Sequence, residues 1–403
     1  MTAISTGTTG RLQALKSAVT SGPGRSSDLS FLPVLAALAI IWLVFGSMNE
    51  NFISPANLTN LTLQIAATGT IAVGVVLILL IGEIDLSVGA LSGFAAGVMA
   101  VLNVRVGVPG PVAIVAAVAL GIGIGVFNGL WITRTAVPAF VVTLAGLLAW
   151  QGALLAVLGG TGTVNITDRG ITQLAQGFLP AWLSWTAMVV VLAVLTGASL
   201  RQRRRRVAKG LGVPSVTRAV LRIIVAASVG SVGVAVLNAD RGVPYALVLL
   251  LGLIVVFDLV IRRTRLGRHI MSVGGNAEAA RRAGINVDGI RVFVFAAAGG
   301  AAALGGVVAA SRLFAVNQSS GAGDLLLNAI AAAVIGGTSL FGGRGSMWAA
   351  FLGALVIGSI SNGMDLLGYV TSVKFLVTGA VLLLSVTVDA RARERRRKAG
   401  GPS

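Results

Sequence analysis

Residues 61–102 read LTLQIAATGTIAVGVVLILLIGEIDLSVGALSGFAAGVMAVL, two apolar runs separated by the turn Gly82-Glu83-Ile84-Asp85. The only charged groups, Glu83 and Asp85, fall together in that turn. An α-helix needs about 20 apolar residues to cross the hydrocarbon of a bilayer. Each run comes close to that length, so the stretch reads as two membrane helices joined by a short turn.

The same ruler gives twelve candidate spans along the chain. They cover 31–48, 61–82, 86–102, 111–132, 139–158, 182–200, 223–237, 244–261, 292–310, 325–340, 347–361 and 373–388. The composition agrees: 56% of the 403 residues are hydrophobic and 11% charged, where a soluble domain carries about 25% charged residues. The expected fold is therefore all-α, a polytopic membrane helix bundle of about 12 transmembrane helices. Residues 1–30, rich in Ser, Thr and Gly, read as a disordered tail, 31–390 as the transmembrane domain, and 391–403 as a basic tail.

Charge sets the orientation. Of 31 Lys and Arg, five (Arg105, Arg169, Arg241, Arg312 and Lys374) fall on one side of the alternating spans, and the other 26 fall on the side that holds the amino terminus. The positive-inside rule places that side, and both termini, in the cytoplasm. The same rule accounts for the net charge of +18: the basic residues serve topology and anionic lipid headgroups, with no nucleic acid implied. The 54 glycines cluster within spans, as at Gly299-Gly300, Gly305-Gly306 and Gly336-Gly337, where small residues let helices approach closely. Segments 71–100 and 330–358 share a helix, Gly-turn, helix layout entered from outside, the pattern of a parallel internal repeat.

Several chemistries lack their residues. None of the four lysines follows a Gly, so there is no phosphate-binding loop to hydrolyse ATP. There is no Cys and a single His, His269, which leaves no metal-ligand cluster and no nucleophilic triad; no cofactor, metal site or enzymatic activity is expected. Asp258 precedes Arg262 by one helical turn, the spacing of an ordinary ion pair. Glu83 and Asp85 read as capping or subunit-contact residues rather than as a proton or sodium site. Neutral polar residues within spans suit an uncharged, hydroxyl-rich ligand: Gln64, Asn128, Gln151 and Asn328, with Trp131 and Trp150 as stacking or interfacial rings.

The cytoplasmic loop 262–291 contains GGNAEAARRAGIN from Gly274 to Asn286. Asn276 can cap a short helix of Ala, Glu and Arg that ends at Gly284, a surface handle for a soluble partner. This segment resembles the Glu-Ala-Ala…Gly coupling motif of ATP-binding-cassette importer permeases, here Glu278, Ala279, Ala280 and Gly284. The turn GEIDLSVG, with Glu83, Asp85, Ser87 and Gly89, resembles the signature turn of the ribose, xylose and arabinose permease family. So do AAAVIGGTSLFGGRG at 331–345 and Asn362-Gly363-Met364-Asp365.

The resemblance covers about 31–390 and is strongest to the xylose branch, through Glu83, VPAFVVTLAG at 137–146 and an insertion at 201–246. It implies a ten-span family core plus two spans. The implied function is that of the non-hydrolytic permease subunit of a bacterial plasma (inner) membrane importer of xylose or another pentose. The implied partners are two ATPase subunits, a second permease copy and a periplasmic or extracellular sugar-binding protein. Transport would follow alternating access, with Asn128, Gln151 and Asn328 as candidates for the path. A Lys common in the family's last span is replaced here by Thr378-Gly379, so no role is carried over for it. The competing reading is an ion-coupled secondary sugar carrier.

Overall fold

The computed structural model describes residues 32–211 and 216–398. The tail at 1–30 and residues 399–403 lie outside the described residues; the rest of the basic tail, to Lys398, continues the last helix.

Among the described residues, twelve apolar helices follow one another in the expected order. Along the chain, α1 (Leu32–Met48), α2 (Pro55–Leu80), α3 (Val88–Val104), α4 (Gly110–Thr135) and α5 (Ala139–Leu158) are followed by strand β1 (Thr163–Asn165), the short helix α6 (Arg169–Gln176) and strand β2 (Phe178–Leu179). Then come α7 (Ala181–Ala208), α8 (Val216–Asn238), β3 (Val243–Pro244), α9 (Tyr245–Arg263), and two short helices, α10 (Arg265–Gly275) and α11 (Ala277–Arg282). The chain closes with α12 (Val287–Leu313), β4 (Ala315–Asn317), α13 (Asp324–Ile335), α14 (Trp348–Leu366) and α15 (Thr371–Lys398). Eight of these helices are long and apolar enough to cross a membrane, and α1, α3, α13 and the first part of α15 are shorter apolar helices. The protein is a multi-pass membrane helix bundle.

Helix α2 carries no polar side chain from Ile71 to Leu80, so this stretch can be satisfied only by burial on all sides. It is the centre of the bundle, and nearly every residue from Ile65 to Leu80 is enclosed. Beside it α12 crosses α4 at contact distance. Gly121, Gly125 and Gly129 lie one turn apart on α4, and a β-carbon at any of them would collide with the α12 backbone at Gly299, Phe295 or Val292. Close approach of this kind replaces the hydrophobic driving force that lipid cannot supply. The expectation that the glycine clusters serve packing is met at this contact and again where Gly306 abuts Ser92 and Gly336 abuts Ala349.

Several helices run past the expected limits, as where α2 starts at Pro55 rather than 61 and α7 ends at Ala208 rather than 200, and two departures change the shape of the bundle. The helix expected over 325–340 stops at Ile335, because Gly336 turns and Gly337 takes a left-handed conformation with φ of 99°. Residues 338–347 then form a loop closed by the Ser339 amide donating to the Arg344 carbonyl at 3.0 Å. The segment after α12 also turns inward: past Phe314 it pairs β4 with β1 and then brings Ser320 and Gly321 against Gly89 and Gly93 of α3.

The α7–α8 hairpin stands at the periphery. Only about 6% of the apolar window of each helix is buried, and the two are tied at their outer end by hydrogen bonds between Ser184 and Asn238. On the same side Asp168 caps α6. Its carboxylate accepts from the amide of Gly170 at 2.6 Å, from Asn103 Nδ2 at 2.8 Å and from the Gly110 amide at 3.2 Å. The Asn103 bond, joined by the backbone donors, holds the Asp168 carboxyl below its ordinary range against the opposing effect of desolvation.

Candidate functional site

The basic loop after α9 forms two short helices. Thr264 caps α10 by accepting from the Gly267 amide, and Asn276 caps α11 by accepting from the Ala279 amide at 2.9 Å. Gly284 follows with φ of 81°, the left-handed position that ends such a helix. Glu278 is exposed and pairs with Arg282 at 3.1 Å, Ala279 is exposed and Ala280 is buried. The expected capped helix ending near Gly284 is therefore present, with one face anchored and one free. The i,i+4 pair of Asp258 and Arg262 also forms, at 2.9 Å.

What anchors these helices is a junction of three turns distant in sequence. Gly274 at the end of α10 lies so close to the Leu80 carbonyl and the Gly343 amide that no side chain would fit. The Gly343 amide donates to the Leu80 carbonyl at 3.0 Å, and Gly342 packs on Gly274 and Gly82. The ends of the α2–α3 and α13–α14 hairpins thus meet under α10. A half-buried ion pair at 2.8 Å joins Glu83 to Arg291 on α12, so Glu83 takes a cationic partner rather than capping a helix.

The remainder of the signature turn reaches further helices. Asp85, buried, accepts from the amide of Ser87 at 2.7 Å and from its hydroxyl at 2.6 Å. Asn128 of α4 donates to Ser87 Oγ at 3.4 Å, and Thr143 of α5 accepts from the Leu86 amide at 3.1 Å. Gly89 opens α3 against the inward segment at Gly321. One turn therefore touches α4, α5, α12 and the loop after it.

The four polar candidates do not converge. Asn128 belongs to the junction. Gln151 donates to the Gln318 carbonyl at 2.8 Å. Gln64 and Asn328 share a cavity of about 410 Å³ on the opposite, outer half of the bundle, with Ser320, Ser361, Arg312 and Asp365 also in its wall. Trp131 is about half exposed beside Phe127, the interfacial reading, whereas Trp150 stacks on Phe94 at 6.0 Å. Arg312 and Ser361 carry no distinguishing pattern in the sequence; they become site residues only because the ends of α12 and α14 converge. Asp365 was legible as part of the 362–365 motif and pairs with Lys374 at the start of α15.

Buried hairpin turns beneath a surface helix pair, in a bundle with an outer cavity, define a membrane permease. A sequence family described as branched-chain amino acid transport system / permease component matches residues 57–386. The chain is 40% identical to the xylose transport system permease protein of Escherichia coli strain K12, over 92% of this chain and 94% of that one. It is 37% identical to the protein of the same name from Haemophilus influenzae, over 92% and 99%. It is 31% identical to the ribose import permease protein of E. coli K12, over 88% and 92%. No solved structure matches. The chain belongs to this permease family.

Proposed function

We propose that the chain is the transmembrane permease subunit of an ATP-binding-cassette importer in the bacterial plasma membrane, moving a monosaccharide, xylose or another pentose, inward. The names of the relatives supply the substrate class. One observation favours ATP coupling: α11 and the turn after it expose Glu278, Ala279 and Gly284, while α10 is fastened, through Gly274, to the cytoplasmic ends of two buried hairpins. A soluble ATPase that pushed or pulled this pair would move α2, α3, α13 and α14 together, as rigid elements do in alternating access. In this reading the subunit is not an enzyme. Two ATPase subunits engage a homodimer of permeases through loop 262–291, within the 31–390 domain, and an external binding protein delivers the sugar. Gln64 and Asn328 are path residues; Asn128 belongs to the inner junction, and Gln151 fixes an outer loop.

Copurification from native cells tests the assembly. Retention of an ATP-hydrolysing subunit, stimulated by a pentose-loaded binding protein, is the expected result. A chain that purifies alone and moves sugar on an ion gradient would establish a secondary carrier instead. Placing bulky or charged side chains at Glu278 and Gly284 should cut ATP-driven uptake at least tenfold, about 1.4 kcal/mol of coupling. The exposed Glu278 variant should keep the wild-type melting temperature, whereas the Gly284 variant, strained at its left-handed position, should lower it. Unaltered coupled uptake would remove the docking assignment.

A further inference from the structure

The outer cavity is bounded by α2, α3, α13, α14, the end of α12 and the loop after it, which adds Asn317, Ser319 and Ser320 beside Ser92 of α3; its other polar groups form two sets. Arg312, Asp324 and Asp365 sit in the last turn of α12, the first of α13 and the last of α14, so the charges ring the mouth. Deeper in, Gln64 and Thr68 lie one turn apart on α2, facing Asn328 of α13 and Ser361 of α14. Gln64 is roughly 14 Å along α2 from its outer end at about 1.5 Å per residue, well below the mouth.

Several polar side chains inside the bundle are satisfied locally: Asn57 exchanges two hydrogen bonds with Asn362, Thr70 returns to its own helix, Ser311 bonds the α6 backbone and Asn128 bonds Ser87. A single group such as Trp150 Nε1 is buried without a partner, but the inner set gathers four around one space. Among the described residues Gln64, Thr68, Asn328 and Ser361 have no such partner. Two amides and two hydroxyls on three helices, turned into one space and left unpaired, are costly in a membrane protein unless water or a ligand completes them.

We propose that this cavity is a monosaccharide subsite, in which Gln64, Thr68, Asn328 and Ser361 hydrogen-bond the hydroxyls of a pentose on its way inward. The inference rests on the importer reading and adds to it a place for the substrate within a single copy of the chain. A volume of about 410 Å³ lies within the ~300–1,000 Å³ usual for small-molecule sites. All four groups are neutral and can both donate and accept or present both functions at once, which matches hydroxyls rather than a carboxylate or ammonium. Among the described residues no aromatic ring lines the wall to stack on the sugar, which keeps binding weak, as suits a site that must release its ligand.

Because the chain contains no Cys, Asn328→Cys introduces a unique thiol. The whole importer bearing it, in liposomes without ATP, is exposed to a small water-soluble thiol reagent with and without excess xylose, or with leucine at the same concentration. We expect the thiol to react and xylose to slow the reaction severalfold, with leucine having no effect. A thiol that does not react, equal slowing by both solutes, or slowing by leucine alone would each overturn the proposal. So would rates untouched by xylose. Uptake by the wild-type importer with ATP is measured in parallel: its failure would count against the importer reading, whereas normal uptake without protection sinks only the subsite. As a second variant, Gln64→Ala should lower xylose uptake while leaving the melting temperature unchanged, since Gln64 has no partner to lose.

Discussion

Gly274 and Gly275 are adjacent and chemically identical, yet their surroundings make opposite predictions. A β-carbon on Gly274 would be driven into the Leu80 carbonyl and the Gly343 amide, both backbone atoms that cannot rotate away. On Gly275 it would meet nothing within 4 Å. Overpacking of a close contact costs about 1–3 kcal/mol, so Gly274→Ala should lower the melting temperature in detergent and weaken uptake, and Gly275→Ala should do neither. Equal melting temperatures for the two variants would mean that α10 is not fastened where the structure puts it. The sequence marks both residues as part of one glycine-bearing motif and cannot tell them apart, since the difference comes from Leu80 and Gly343, which are remote in the chain. Asn276 and Gly284 are the opposite case. Capping and left-handed termination are local rules, and both residues are found in the roles that those rules assign.

At the scale of elements, the twelve apolar runs map one to one onto twelve helices, because membrane length and hydropathy are local quantities. Helix α6 and the pairings β1–β4 and β2–β3 carry no such signal; they exist because distant segments meet on the outer face. Lateral packing is equally hidden, which is why Gln64 and Asn328 meet while Asn128 and Gln151 go elsewhere. Asp168 holds part of that outer layer by clasping α6 to the α3–α4 turn. Its folded pKa lies below the ordinary value of 3.8, so its contribution is complete above that value and is lost as the pH falls through the lower folded one. The Gly110 and Gly170 amides should therefore stay protected from hydrogen exchange at neutral pH and lose protection only in strong acid. In Asp168→Ala they should exchange faster wherever the wild-type carboxylate is ionised, the difference closing only in strong acid. An Asp168→Ala variant with wild-type protection would show that the clasp is not held by this carboxylate.

For the whole molecule, the proposed importer requires that movement of the surface helix pair reach the membrane interior. Glycine contacts tie α10 to the hairpin ends but carry no directional bond, whereas Glu83 and Arg291 join the signature turn to the first turns of α12 at 2.8 Å. The side chains are 17% and 26% exposed, so solvent screens the pair only in part, and loss of one charge strands the other in a confined place. Behind Glu83 the same turn grips α4 through Asn128 and α5 through Thr143. Neutral or reversed charge at either position should thus impair transport more than it impairs binding of the ATPase. Glu83→Arg and Arg291→Glu are each expected to reduce sugar moved per ATP hydrolysed, and the double exchange to recover a substantial part of it. The coupling energy in such a cycle should be about 0.5–3 kcal/mol, as for other contacting pairs. If the losses of the two single variants simply add in the double variant, the pair does not transmit force, and the glycine contacts beneath α10 must carry the coupling alone.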